Sequence, residues 1–360
     1  MIGKLRELAT GGILSQTPIA FGYSNARVKA MRTHLLTRAQ FEEMARVKSV
    51  PEIIEMLERT HFKQDLVALS LKFSGVDLVR VALGKNAART YRKLIRITPE
   101  SGRGTVLAFL RRWDVHNLKT ILLGKSMGYS TEKIESLLVP AGEIGEDELK
   151  RLAGSDLESV VGFLKRCEFC PPKESWENQV KKGDLSPLMN ELDRVYYKEL
   201  ASKVKGVGRD GGTVLSLVKA EIDAKNIMLG IRARREQIPT ETIEKLLLDG
   251  GSISKRELVK IAETKSTEEA VRKLSRHYDL TEAFESYKTD RSLVHFETHL
   301  ENWVAQKGVK ALRRSMLSVG ALVGYVYLKN AEIGNIRKIL SAAEFGIPEE
   351  KLKGMLVIAG

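Results

Sequence analysis

The sequence predicts an all-α protein of three related helical units, each of about 109 residues, closing into a ring with approximate threefold symmetry. Three observations predict it. Apolar residues recur at helical spacing, an Asn-centred pattern returns twice at a constant interval, and the last fragment contains the helix that the first unit lacks.

The middle of the chain supplies the clearest copy. The stretch from Asp114 to Tyr129 returns at 223–238 and at 332–347, so that Asn117, Asn226 and Asn335 are evenly spaced. Three residues before each Asn is a carboxylate: Asp114, Asp223 or Glu332. Val115, Leu118, Ile121 and Leu122 match Ala224, Ile227, Gly230 and Ile231, then Ile333, Ile336, Ile339 and Leu340. That spacing marks one face of a helix.

Signals for helix starts repeat at matching places. Pro239 and Pro348, with Ser130 at the same place, suit a first helical turn. Gly145-x-x-Glu148 and Ser254-x-x-Glu257 take capping-box positions, with Thr37-x-x-Gln40 as an earlier equivalent. Ser49, Ser155 and Ser266, each followed three residues later by Glu, predict a further cap. Gly104, Gly212 and Gly320, again evenly spaced, mark joints, the first two inside the loop-like stretches 99–104 and 206–212. No series of alternating apolar runs with Asn-Gly or Asp-Gly turns argues for strands.

The copies are unequal. Asn117 to Ala153 and Asn226 to Ala262 are stretches of equal length, whereas the first-copy equivalent, Asn25 to Ala45, is shorter by about one helix, and Gly22 replaces its carboxylate. The expected units are therefore a shortened one at 1–103, complete ones at 104–211 and 212–330, and a closing half-unit at 331–360. The last carries the missing helix, Pro348 to Val357, and is expected to pack on the first unit. An open solenoid would leave two apolar ends in need of caps.

The 59 Lys and Arg against 46 Asp and Glu give a net charge of +13, which suits nucleic acid, an anionic membrane face or an acidic protein. The most apolar stretch, Ala321 to Leu328, falls far short of the ~20 residues of a membrane-spanning helix. No secretory signal is expected at the N-terminus, and two cysteines fit a reducing compartment.

Candidate sites weigh lightly. Gly124-Lys125-Ser126 has the tail of a phosphate loop, but Lys119 stands where the loop requires glycine, and the motif lies along a helix. Cys167 and Cys170 have the spacing of half a zinc site, with no second pair. His295 and His299 flank Glu297, one position late for a zinc-protease motif. The three carboxylates have no recurrent His, Cys or Ser partner. They are expected to form a polar latch with the Asn amides, satisfying backbone or Arg/Lys groups between helices. The basic stretches 89–96 and 307–314 read as solvated helix faces, without interleaved stacking aromatics.

Gly22-Tyr23-Ser24-Asn25-Ala26-Arg27-Val28-Lys29-Ala30-Met31, followed by Leu35-Leu36-Thr37, resembles the opening signature of the C subunit of archaeal and bacterial A/V-type ATP synthases. The d subunit of eukaryotic vacuolar ATPases belongs to the same family. Asp-x-x-Asn-Leu-Lys at 114–119 and Glu332-Ile333-Gly334-Asn335-Ile336-Arg337-Lys338-Ile339 are similar to that family too, and the resemblance runs from about residue 10 to the C-terminus. It implies a funnel-shaped, non-catalytic helical protein on the cytoplasmic face of the membrane. Such a protein sits on the membrane rotor ring of proteolipid (c) protomers and receives the central axle of the D and F subunits. It implies no cofactor, no metal and no small-molecule substrate. Tyr23, Asn25, Arg27, Asp114, Asn117, Asp223, Asn226, Glu332 and Asn335 are then signature residues with structural roles. Met228 departs from the charge at Lys119 and Arg337. The positive charge also suits an anionic membrane surface. The rival reading is a basic helical-repeat protein that binds nucleic acid, with Lys and Arg gathered on one concave face.

Overall fold

The helical periodicity is realised throughout the computed structural model, which describes residues 18–166, 171–172, 177, 180, 183–205, 207 and 211–358. After a 3-10 turn at Pro18–Phe21 come α1 (Gly22–Arg32), α2 (Arg38–Arg46), α3 (Val50–Glu58), α4 (Lys63–Leu69), α5 (Gly75–Ile97), α6 (Glu100–Leu110) and α7 (Arg112–Ser126). Next are α8 (Thr131–Leu137), α9 (Glu146–Gly154), α10 (Leu157–Leu164), α11 (Ser186–Lys205) and α12 (Gly211–Glu236). The remainder comprises α13 (Thr240–Leu246), α14 (Lys255–Ala262), α15 (Thr267–Leu274), α16 (Thr281–Asp290), α17 (Val294–Arg314), α18 (Val319–Phe345) and α19 (Glu349–Met355). No strand occurs among the described residues, so the protein is all-α. Among those residues no helix is long and apolar enough to cross a membrane.

Local chemistry sets the helix starts. Thr37 and Gln40 form the full reciprocal box, and Ser130, Ser254 and Ser266 each accept the backbone N–H three residues on. Ser155 does not cap as expected. The acceptor is Asp156, which takes the Ser159 N–H at 2.7 Å and offers a carboxylate where the serine offers a hydroxyl. Gly104 and Gly212 lie inside α6 and α12 and not in loops. The first joint falls earlier, at Thr98-Pro99, where proline cannot continue the ladder of α5.

Three long hairpins dominate: α5 returns through α6 and α7, α11 through α12, and α17 through α18. The first return is interrupted at Arg111, whose backbone stays in the right-handed helical region; α12 and α18 are continuous. The expected boundaries at 103/104 and 330/331 therefore fall inside helices. In α18 every residue from Val319 to Lys329 is buried, as a helix apolar on all sides must be. It packs against α17 and α12, and against α1, α2, α3, α5 and α6 from the other end of the chain. The last helix, α19, lies on α2, with Glu349 3.7 Å from Arg46. Arg80 of α5 pairs with Glu344 of α18 at 2.8 Å. One core runs from Val28 to Leu356, and a smaller one, around Leu258, Leu274 and Phe296, fills the space between α12 and α14–α17.

Candidate functional site

The Asn repeat becomes one device used three times. Asn117 Nδ2 donates to the Val139 carbonyl at 2.7 Å, and its Oδ1 accepts the Val139 N–H at 2.8 Å. Asn226 does the same with Leu248 at 2.9 Å both ways, and Asn335 with Val357 at 2.8 Å both ways. Each partner lies 22 residues on, just past the short helix that follows. The amide replaces the neighbouring strand that an extended peptide would otherwise need.

The carboxylates pin the next turn. Asp114 accepts the N–H groups of Glu143 and Ile144, both at 2.9 Å, and Asp223 those of Ser252 and Ile253 at 2.8 and 3.2 Å. Tyr278 adds a hydroxyl to Asp223 at 2.6 Å. Gly142 and Gly251 are required beneath them: a Cβ on either would lie 2.1–2.2 Å from the carboxylate oxygen. Burial pushes the Asp114 carboxyl up to about 6, while the two backbone donors pull the other way. Glu332 accepts the N–H of Leu36 at 2.8 Å and pairs with buried Lys329 at 2.5 Å, with His61 Nε2 at 3.5 Å. Burial opposes the Glu332 charge, and Lys329 with His61 outweighs it, holding the carboxyl below its usual range.

Asn25 departs from its sequence alignment. It donates to the Ser318 carbonyl at 2.8 Å, so it ties α1 to the start of α18 and not to a nearby extended peptide. Tyr23 and Arg27 stand exposed on the same helix. Lys125 of the Gly-Lys-Ser motif donates to the Ala153 carbonyl at 2.7 Å and caps the end of α9. Its equivalent Arg234 donates to the Lys265 carbonyl, in the connection between α14 and α15. His295 meets Asp290 at 2.9 Å. Cys167 and Cys170 lie outside the described residues.

The four Asn residues and the three carboxylates thus hold separate joints, while Tyr23 and Arg27 face outward, and the concave site lies between those joints. Where α7, α12 and α18 converge, Arg112 pairs with Glu221, whose oxygens also accept the hydroxyls of Tyr197 and Tyr327. The Arg112 guanidinium lies 5.4 Å from the centre of the Tyr327 ring. Burial opposes both charges, and their mutual attraction with the hydroxyl bonds outweighs it: Glu221 is held low and Arg112 high. Tyr91 donates to Asn330 at 2.6 Å beside this knot.

The knot forms one end of a cavity of about 600 Å³. Its lining runs from Glu221 to Arg232 on α12 and from Tyr327 to Lys338 on α18, about 16 Å of helix. Asn226, Leu248 and Val357 of the latches reach its wall, and Lys338 pairs across it with Glu301 of α17 at 2.6 Å. The walls mix charge and apolar surface, which suits a macromolecular contact. Among the described residues no group of three or more His, Cys, Asp and Glu gathers.

Sequence reading missed this place because it sought identical residues at the repeat interval. Arg112 and Glu221 are themselves one interval apart, with Asn330 at the next, and differ in type. Applying the interval to every position would have found them, and Gly142 with Gly251.

Comparison with known proteins bears on this geometry. The sequence model described as the ATP synthase (C/AC39) subunit matches residues 24–355. The C subunit of the A-type ATP synthase of Methanosarcina barkeri is 30% identical over 343 residues, covering 94% of this chain and 93% of its own. Its counterpart in Thermoplasma acidophilum is 26% identical over 345 residues (93% and 97%), and that in Archaeoglobus fulgidus 28% over 341 (94% and 96%).

Proposed function

Since the chain belongs to the ATP synthase (C/AC39) subunit family, a non-catalytic part of that membrane-associated complex, we propose that it is the rotor's socket. It couples the proteolipid ring in the membrane to the soluble axle of the D and F subunits, on the cytoplasmic face. Ion flow then drives ATP synthesis, or ATP hydrolysis drives pumping, through this body without chemistry in it. The nucleic-acid reading has no support from these relatives.

A socket that passes torque must be stiff. We take the three hairpins as three units, with 331–360 completing the first, so that the body is a closed funnel without fraying ends. The contacts of Glu332 with Leu36, Asn25 with Ser318 and Glu349 with Arg46 support that closure. Charged knots of the Arg112–Glu221 type resist rearrangement because opening one strands a buried charge.

The observation that carries the reading is the cavity at the meeting of α7, α12 and α18, floored by that knot. We assign the axle's foot to it. Met228→Trp and Arg232→Glu, both on its wall, are expected to abolish co-purification with the D and F subunits while leaving unfolding temperature and ring attachment intact. Undiminished axle binding by both variants would remove the axle from this cavity.

A further inference from the structure

Positions 119, 228 and 337 are one repeat interval apart and carry Lys, Met and Arg. Each lies seven residues beyond Arg112, Glu221 or Asn330, two helical turns from the knot. The fold therefore offers three equivalent places to a partner in the cavity, and the chain makes them chemically different. Lys119 is already answered, by Asp193 of α11 at 2.7 Å. Met228 is neutral and stands on the cavity wall. Arg337 is half-buried, and among the described residues no carboxylate, carbonyl or hydroxyl accepts from its guanidinium.

The guanidinium lies 5.9 Å from the centre of the Trp113 ring on α7, and that ring stands edge-on to His116. Neighbouring cations have their acids: Arg80 of α5 pairs with Glu344 and Asp77, and Lys338 with Glu301. Burial, then the charge of Arg80, hold Arg337 below its usual range. Elsewhere Glu221 answers Arg112 and Glu332 answers Lys329, because a buried charge without a partner lowers stability. Arg337 departs from that pattern, and it does so beside a cavity.

Its surroundings open to a partner. Gly334 and Lys338, on either side of it in α18, line the large cavity. Trp113 and His116 line a recess of about 280 Å³ that shares Arg112, Asp193, Glu221 and Lys225 with it. Away from the knot, Leu123 and Met127 follow His116, and Phe345 follows Lys338, at helical spacing, and all three are exposed apolar side chains. At the equivalent places α12 carries Arg232 and Glu236. The gap between α7 and α18 thus has a free cation at its inner end and apolar lips, and neither of the other two places combines them.

We propose that Arg337 takes a carboxylate from the axle's foot and so fixes which of three pseudo-equivalent orientations the axle adopts in the cavity. The inference rests on the rotor reading for its partner. One uncompensated positive charge calls for one carboxylate, and the fork of the guanidinium holds it at a defined angle. Lys119 would have to give up Asp193 to do the same, and Met228 has no charge to offer. The foot then carries, on the side facing α7 and α18, an acidic residue with apolar neighbours that meet Leu123, Met127 and Phe345. Without such a mark, a threefold-like socket would seat an asymmetric axle equally well at three rotations.

The test uses the full chain assembled with the D and F subunits. Arg337→Met places at 337 the residue that occupies 228, and it should weaken axle binding about tenfold or more. The unfolding temperature of the chain alone should hold or rise, because an unpaired cation leaves the interior, whereas loss of a residue that only supports the fold would lower both. Orientation is read by photo-crosslinking to the axle from benzophenone on a single cysteine, Met127→Cys, Glu236→Cys or Phe345→Cys, with Cys167→Ser and Cys170→Ser. The three sites should capture three different segments of the axle. Arg337→Met with Met228→Arg moves the free cation by one interval, and the captured segments should move by one site with it. Undiminished axle binding by Arg337→Met, a fall in its unfolding temperature matching the loss of binding, the same segments captured at all three sites, or no displacement in the double variant would each overturn the proposal. Failure of the native chain to hold D and F would instead sink the rotor reading, before any variant is compared.

Discussion

Glu332 accepts the backbone N–H of Leu36 at 2.8 Å although the two are 296 residues apart. Leu36 precedes the cap of α2 as Ile144 precedes that of α9 and Ile253 that of α14, and each has its N–H on a carboxylate. Helix α18 thus does for the N-terminal segment what Asp114 and Asp223 do within their own stretches. Glu332→Ala leaves buried Lys329 without its partner and is expected to cost about 3–5 kcal/mol in urea unfolding. Glu332→Gln with Lys329→Met keeps an acceptor for Leu36 and removes both charges, so it should recover most of the loss. Equal loss in the two variants would mean that the buried charge is not the cause.

The Asn latches predict a matched series. Removing any one leaves a buried N–H and a buried carbonyl unpaired, each worth about 1–3 kcal/mol. Asn117→Ala, Asn226→Ala and Asn335→Ala should therefore each lower stability by roughly 2–6 kcal/mol. A variant that loses less than about 0.5 kcal/mol would show water replacing its latch.

Two buried groups titrate with opposite consequences. Burial raises Asp114 to about 6, so the native state holds a proton that the unfolded chain has released, and stability falls as pH rises from about 4 to 6. Burial lowers His116 to about 4, with Arg337 and Lys119 adding to it, so stability falls as pH drops from about 6.5 to 4. The difference in unfolding free energy between the native chain and Asp114→Asn should shrink by about 3 kcal/mol from pH 4 to 6 and stay level above about 7. The difference for His116→Gln should run the other way. Parallel profiles would place neither titration in the native state.

Much of the frame was legible because it repeats. A constant interval found the Asn latches and the carboxylates, and capping chemistry placed Thr37, Ser254 and Ser266. Asn25 was misaligned although Gly22 replaces the carboxylate beside it, because its partner, Ser318, is invisible to a local comparison. The knot was missed for a physical reason: where equivalent positions face one another, identical residues would bring like charges together. The chain places Arg112 against Glu221 instead, and complementarity erases the resemblance that a repeat search follows.

Glycines separate packing from propensity. At the crossing of α17 and α18, a Cβ on Gly324 would lie 2.6 Å from both the Gly308 carbonyl and the Leu312 nitrogen. Those atoms are helical backbone and cannot swing aside, so Gly324→Ala must part the two helices and should cost about 3 kcal/mol or more. Gly334, further along α18, has nothing within 4 Å of its Cβ position. Alanine there gains helix propensity without a clash, and Gly334→Ala should stabilise by about 0.5–1 kcal/mol. Because both substitutions add the same methyl group to the same helix, intrinsic propensity cancels between them, and the gap in their unfolding free energies measures how closely α17 and α18 approach. A gap below about 1 kcal/mol would mean that the hairpin yields easily, and a hairpin that yields cannot carry torque between a membrane ring and an axle.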